Sequence, residues 1–305
     1  MKLTIGMATY DDYDGVYFTI QAIRTYHPEV CKDTEFIIVD NNPGTPVSEA
    51  LEKYCKGWHK GTAGMRYIPM PEATGTTQPR NRVFQEASGD AVLCIDSHIL
   101  INAGGITRLL DYYNNHRTTR DILSGPILYD DGSICGDHFA DVWRAQMWGI
   151  WGTTDKVNGD EPYEIPGMGL GLFSMRRSEW PGFNEHFRGF GGEEMYIHEK
   201  VRRRGGRAIC LPWLRWGHRF GRPNGTPYLS VCTVFNKVRN YILGHLELGL
   251  DLTRCHQHFV GEKIMSPQQW AYIMSNPIGC KIPTLPPENR VERGSNTLKD
   301  LTNAR

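Results

Sequence analysis

Three short clusters in this 305-residue chain combine residue types that hold metals, bind phosphate or move protons. The first is Asp96-Ser97-His98, directly after the apolar run 91–95. On an extended segment, side chains separated by one residue project to the same side, so Asp96 and His98 would face one point. A carboxylate with an imidazole suits Mn²⁺ or another borderline divalent ion better than Mg²⁺. Such an ion can bridge a diphosphate and stabilise the charge on a leaving group. The same residues also fit a plain strand-end turn with an exposed histidine. His218, within 214–220 (LRWGHRF), is either a packed core histidine or a third ligand that closes the site.

Phe190-Gly191-Gly192-Glu193-Glu194 is the second cluster. A glycine pair before two acids predicts a tight turn into a helix N-terminus, where the helix dipole favours carboxylates. The acids either cap that helix or aim a carboxylate at an acceptor hydroxyl, where it would serve as general base. The third cluster is Arg202, Arg203, Arg204, Arg207, Arg215, Arg219 and Arg222. It fits a solvated helix face, or a site for diphosphate or another anion. Cys255-His256-Gln257-His258 lacks the second spaced pair that a structural metal site needs.

Alternating strands and helices must position these groups. Strands are expected at 3–8, 35–40, 65–70 and 91–96, and helices at 15–27, 47–56 and 79–88. Continuous apolar strands alternating with helices predict an α/β fold, with a mostly parallel central sheet flanked by helices. Ligands bind at the carboxyl ends of such strands, where Thr9, Asp40 and Asp96 sit. Residues 124–180 hold Trp143, Trp148, Trp151 and Trp180 among glycines. Short strands and loops are expected there, with the tryptophans at 143–151 offering faces for a sugar ring or base. A helix is expected at about 193–204, stopped by Gly205-Gly206, then a strand at 208–211 and a helix near 229–248. Residues 276–305 read as an extended, partly mobile tail.

Composition narrows the function classes. Lys+Arg and Asp+Glu both count 34, so bulk charge predicts no polyanionic partner. The N-terminus reads as a first strand rather than a signal peptide, and no apolar window approaches membrane-spanning length. The eight cysteines form no CxxC pair, which points to reduced, structural thiols. A cytoplasmic protein is the expectation.

Taken in order, four segments resemble the family-2-like glycosyltransferases of the GT-A fold, over about the first 220 residues. Residues 5–10 resemble the opening strand whose end contacts the nucleotide, and 37–42 (IIVDNN) the second strand with its nucleoside-reading acid. The run 80–98 (RNRVFQEASGDAVLCIDSH) resembles the segment ending in a DxD motif, and 171–196 the acceptor segment ending in an acidic pair. The DxH form, the Gly-Gly-Glu and the later Gly-His-Arg-Phe are similar to the polypeptide N-acetylgalactosaminyltransferases. The resemblance implies Mn²⁺ on Asp96, His98 and His218, and a UDP-sugar donor met by Thr9, Tyr10, Asp11, Asp40, Asn42, Arg80, Asp96 and Ser97. Glu193 and Glu194 become the catalytic acids, on the sugar or acceptor side. It implies a transferase domain at 1–225, with a donor half at about 1–100 and an acceptor half at about 101–225. A helical extension and tail follow at 226–305. The acceptor stays open among a glycan, a protein, a small molecule and a hydroxylated base in phage-type DNA. An inactive nucleotide- or glycan-binding module is the non-enzymatic alternative. A nucleotidyltransferase is disfavoured, because its glycine-rich, basic loop is missing after the first strand.

Overall fold

The apolar runs of the first hundred residues become the centre of one sheet. The computed structural model describes residues 1–57, 63–221 and 233–282. From the N-terminus run β1 (Leu3–Thr9), α1 (Tyr13–Tyr26), the single turn α2 (Pro28–Cys31), β2 (Thr34–Asp40) and α3 (Pro46–Lys56). Then come β3 (Gly64–Pro69), α4 (Thr77–Glu86) and β4 (Ala91–Asp96). Apart from α2, which was not expected, these lie within two residues of the spans expected from periodicity. Local chemistry starts the helices: the Asp12 carboxylate caps α1 through the Gly15 amide, and Thr45 with Ser48 forms a capping box on α3.

The second half is built from shorter pieces. They are β5 (Ile99–Ile101), α5 (Gly105–Asn115), β6 (Ile122–Ser124), β7 (Ile127–Leu128), β8 (Ile134–Gly136), β9 (His138–Arg144), β10 (Met147–Gly152) and β11 (Tyr163–Glu164). β12 (Leu172–Arg176), α6 (Glu193–Arg203), β13 (Ala208–Cys210) and β14 (Trp216–His218) follow. Beyond residue 232 are α7 (Val234–Leu248), α8 (Thr253–His256) and α9 (Pro267–Ser275).

The main sheet has eight strands in the order β11-β13-β6-β12-β4-β1-β2-β3. β3, β2, β1 and β4 are parallel neighbours, as are β6 and β13, while β12 runs antiparallel to β4 and β6. The expected mostly parallel sheet is therefore present, with antiparallel pairing confined to β12 and β11. A four-stranded sheet, β5-β14-β7-β8, and the β9–β10 hairpin stand beside it. β1, β2 and β4 are buried almost throughout, so their alternate side chains form the core on both faces. No helix among the described residues is long and apolar enough to cross a membrane.

The region expected as a helical extension carries α7, α8 and α9 among its described residues, and it packs on the rest of the chain. α7 packs on α6, and its Leu243 and Leu248 join the main core. Its other face builds a second core with Cys255, Phe259, Trp270 and Ile273, which brings in α8 and α9, two helices not expected from periodicity. Trp143 and Trp148, expected as ligand-stacking faces, stack on each other at 5.7 Å and pack on this second core, with Trp143 against Tyr241 at 4.8 Å. They are a seam between the hairpin and α7. The expected tail at 276–282 is pinned instead, because Arg188 and Arg239 donate to the Ile278 carbonyl at 3.0 and 3.1 Å. The rest of it, 283–305, and the expected boundary near 225 lie outside the described residues.

α7 also reaches the acidic turn. Asn240 is buried; it accepts from the Arg188 amide at 3.0 Å and donates to the Arg188 and Gly191 carbonyls at 2.8 and 3.0 Å. Asn240→Ala would leave those backbone groups unpaired and should cost about 1–3 kcal/mol. A urea denaturation series should show a lower midpoint with an unchanged slope. An unchanged midpoint would mean that water replaces the amide and that α7 does not hold the turn.

Candidate active site

Strand register brings the first group together. Thr9 lies opposite Asp40, and Ala8 opposite Asp96, so three strand ends share one edge of the sheet. Thr9 is buried, and its hydroxyl oxygen finds no hydrogen-bond partner among the described residues. An orphaned polar atom at the carboxyl end of a central strand fits a ligand contact. Asp40 accepts from the Tyr67 hydroxyl at 2.8 Å and from the Asn42 amide at 2.9 Å. Burial pushes its carboxyl above the ordinary range despite those bonds. Tyr10 is half-buried at the same rim. Asp11 is exposed and takes a left-handed φ of 53°, a backbone state that Asp adopts more readily than most side chains.

The metal-type cluster forms beside this rim. β14 pairs antiparallel with β5, placing His218 opposite Ile99 and so beside His98. The ligand atoms of Asp96, His98 and His218 lie within 4.8 Å of one another. His218 Nε2 is 3.5 Å from Asp96 Oδ2, and the two imidazoles meet edge-on at 4.7 Å. Among the described residues no other group of three such side chains converges in this way. In the 255–258 cluster, Cys255 is buried in the second core and His258 faces Glu262 at 3.1 Å. One oxygen and two nitrogens, all half-buried, leave coordination positions for phosphate or water and suit Mn²⁺ or another borderline divalent ion. Burial alone would raise the Asp96 carboxyl. The His218 hydrogen bond and the Arg80 charge outweigh it and hold Asp96 well below the usual carboxylate range.

Two expected ligand contacts face inward. Ser97 is buried and donates to Asp12 Oδ2 at 2.9 Å, away from the open rim. Arg80 is buried under Asp96, with Nη2 3.0 Å from Asp96 Oδ1 and Nη1 3.9 Å from Glu193 Oε1. Its side chain is held between those two carboxylates, and Nη1 has no hydrogen-bond partner among the described residues.

The acidic pair opens α6 as its glycines require. Gly191 and Gly192 take φ values of 100° and 96°, which a Cβ would make costly. Glu193 accepts from the Thr76 hydroxyl at 2.8 Å and is buried. Glu194 is also buried, and its Oε2 has no partner among the described residues. Burial, with the neighbouring Glu193 charge, raises the Glu194 carboxyl. Sequence reasoning missed Asp12, Thr76, Tyr67 and Asn240. Only Asp12 left a signal there, as the second of two acids before a helix start.

A stability consequence follows from Glu194. The folded state holds this proton more tightly than the unfolded chain. Above the ordinary glutamate pKa the native state therefore binds more protons, and stability falls as pH rises through the raised value. Glu194→Gln removes that loss. Calorimetric melting of the variant minus wild type should climb by a few degrees from about pH 5 to pH 9. A difference that stays flat with pH would show that the acid is already ionised in the fold.

Comparison with known proteins agrees with this geometry. Polypeptide N-acetylgalactosaminyltransferase 3 of Drosophila melanogaster is 26% identical over 210 residues, covering 64% of this chain and 31% of the relative. The chain thus spans about a third of that relative's length. A crystal structure of GalNAc-T7 with UDP, GalNAc and Mn²⁺ superposes with a TM-score of 0.65 at 16% identity, covering 92% of this chain and 58% of that one. The mannosyltransferase PcManGT of Pyrobaculum calidifontis, in complex with GDP-Man and Mn²⁺, gives 0.56 at 14% identity, covering 92% and 76%. These likenesses establish the GT-A fold. The family model for glycosyl transferase family 2 matches residues 4–176, more than half of the sequence, and the chain belongs to that family.

Proposed function

We propose that this protein transfers a hexose or N-acetylhexosamine from a UDP-sugar to an acceptor hydroxyl. The observation that carries this reading is the convergence of Asp96, His98 and His218 at the carboxyl ends of the parallel strands. The UDP, GalNAc and Mn²⁺ bound by GalNAc-T7 support the same donor and ion here. Bound to those three ligands, a divalent cation supplies positive charge against the diphosphate as it leaves. Thr9, Tyr10, Asp11, Asp40 and Asn42 line the rim where the nucleoside would sit. Arg80 keeps Asp96 ionised and joined to Glu193.

The two acids divide the remaining work. Glu193 is tied to Thr76 and faces Arg80, so it fixes the turn at the donor side. Glu194 has the raised carboxyl and the unpartnered oxygen, which suits a proton acceptor for the acceptor hydroxyl near neutral pH. Most of the arginine cluster is engaged within the fold, and Arg204 is exposed without a side-chain partner among the described residues, so the cluster gives little support to a DNA acceptor. Arg202 and Arg203 pair with Glu199, Arg207 with Asp121 and Arg219 with Asp12, while Arg215 donates to backbone carbonyls. Arg222 lies outside the described residues.

Isothermal titration tests the donor half. UDP should bind in the presence of Mn²⁺, and binding should fall at least about tenfold without the ion or in His98→Ala, a loss of roughly 1.4 kcal/mol or more. Equal binding in all three conditions would remove the metal from the donor site, and GDP binding in preference to UDP would move the donor class. For turnover, kcat/KM should rise with pH across an acid limb set above the ordinary glutamate range. Glu194→Gln should abolish that limb; a variant that keeps it would exclude Glu194 as the base.

A further inference from the structure

Asp12 lies just before α1 and belongs to none of the strand ends, yet it touches both histidine segments of the ligand cluster. Its Oδ2 accepts from His98 Nδ1 at 2.8 Å and from the Ser97 hydroxyl at 2.9 Å. Its Oδ1 accepts from the Gly15 amide at 3.2 Å and from Arg219 Nη2 at 3.0 Å. Arg219 directly follows His218, and its own amide donates to the His98 carbonyl at 3.1 Å. One buried carboxylate therefore receives four donors, two of them from the 97–98 turn and one from the residue next to His218.

We infer that Asp12 is the positioning residue of the metal centre. It fixes His98 as the Nδ1–H tautomer with Nε2 turned to the ion, and it braces His218 through Arg219. This rests on the metal site proposed above. Helix capping alone explains only the Gly15 bond, because a neutral Asn or Ser caps equally well. It does not explain why a carboxylate, with its stronger pull on an imidazole N–H, occupies this place. Gly15 adds a second observation. A Cβ there would collide with Asp12 Oδ2 and with the Ser97 carbonyl, so the first turn of α1 leaves room for the carboxylate against the ligand turn. Thr19, one turn further along α1, donates its hydroxyl toward the Ser97 carbonyl at 3.1 Å and accepts from the Ile99 amide at 3.0 Å. The helix thus holds the ligand turn from both sides, and Asp12 is the contact that reaches the imidazole itself.

The test compares full-length wild type, Asp12→Asn, Asp12→Ser and His98→Ala in two measurements. Electron paramagnetic resonance of free Mn²⁺ gives the affinity, and imidazole ¹⁵N shifts of the metal-free protein give the His98 tautomer. Both replacements keep a competent helix cap, so a fall in melting temperature reports the lost His98, Ser97 and Arg219 contacts rather than an uncapped helix. Mn²⁺ affinity should fall about 10–100-fold in both, and the Nδ1–H signature of His98 should be lost or mixed. Wild-type affinity in Asp12→Asn, with binding abolished in His98→Ala, would overturn the inference and leave the metal site standing. A loss of affinity in Asp12→Asn with the His98 Nδ1–H signature unchanged would mark a general loss of packing, and would overturn it as well. If wild type binds no Mn²⁺, the functional reading fails, and the tautomer arm decides the role of Asp12. An unchanged His98 spectrum in Asp12→Asn then overturns it, and a shifted one supports it.

Discussion

A buried guanidinium ties this molecule together. Arg80, on α4, sits between Asp96 at the end of β4 and Glu193 at the start of α6. Burial works against its charge, but Asp96 and Glu193 more than compensate and keep it protonated. Replacing such a set by apolar side chains need not weaken a fold, so its value is in placement. It sets the spacing between a strand end that carries a metal-type ligand and a helix start that carries two acids. The neighbouring backbone does the same: Thr74 and Thr76 exchange hydrogen bonds with Gly189 at 2.7 and 3.0 Å, and Thr76 also holds Glu193. The end of β4 and the start of α6 are thus fixed to each other at the candidate site.

Support for this junction comes from beyond the sheet. α7 grips the Gly191–Gly192 turn through Asn240, and its Tyr241 hydroxyl accepts from the Trp148 amide at 2.8 Å. Tyr241 in turn packs among Trp143 and Phe259, so the second core stiffens the hairpin and the acidic turn together. A long Gly–Trp segment that would otherwise be loop-like becomes a wall. Catalytic geometry generally needs this kind of second layer, because loop-borne groups lose precision without it.

The donor half was legible because its signals are local and strong. Runs such as 91–95 can only be buried strands, and parallel register then aligns Thr9, Asp40 and Asp96 automatically. The DxH pair and the distant His218 were legible as candidates; their convergence depends on β5–β14 pairing, which no short pattern encodes. The inward turn of Ser97 and Arg80 was hidden for the same reason, since an arginine reads alike whether it meets a phosphate or a buried carboxylate. α9 was legible in principle: Ser266 and Gln269 form a capping box around Pro267. It was missed because its nine residues are too few to show a clear apolar period. The packing of Trp143 and Trp148 on the second core was not legible, because stacking surfaces and packing seams share one composition.

The most direct test of the account is anomalous diffraction from crystals grown with Mn²⁺ and UDP. One strong anomalous peak is expected in contact with Asp96, His98 and His218 together, beside the bound diphosphate. A peak elsewhere, or UDP bound at the rim with no ion on these three side chains, would contradict it.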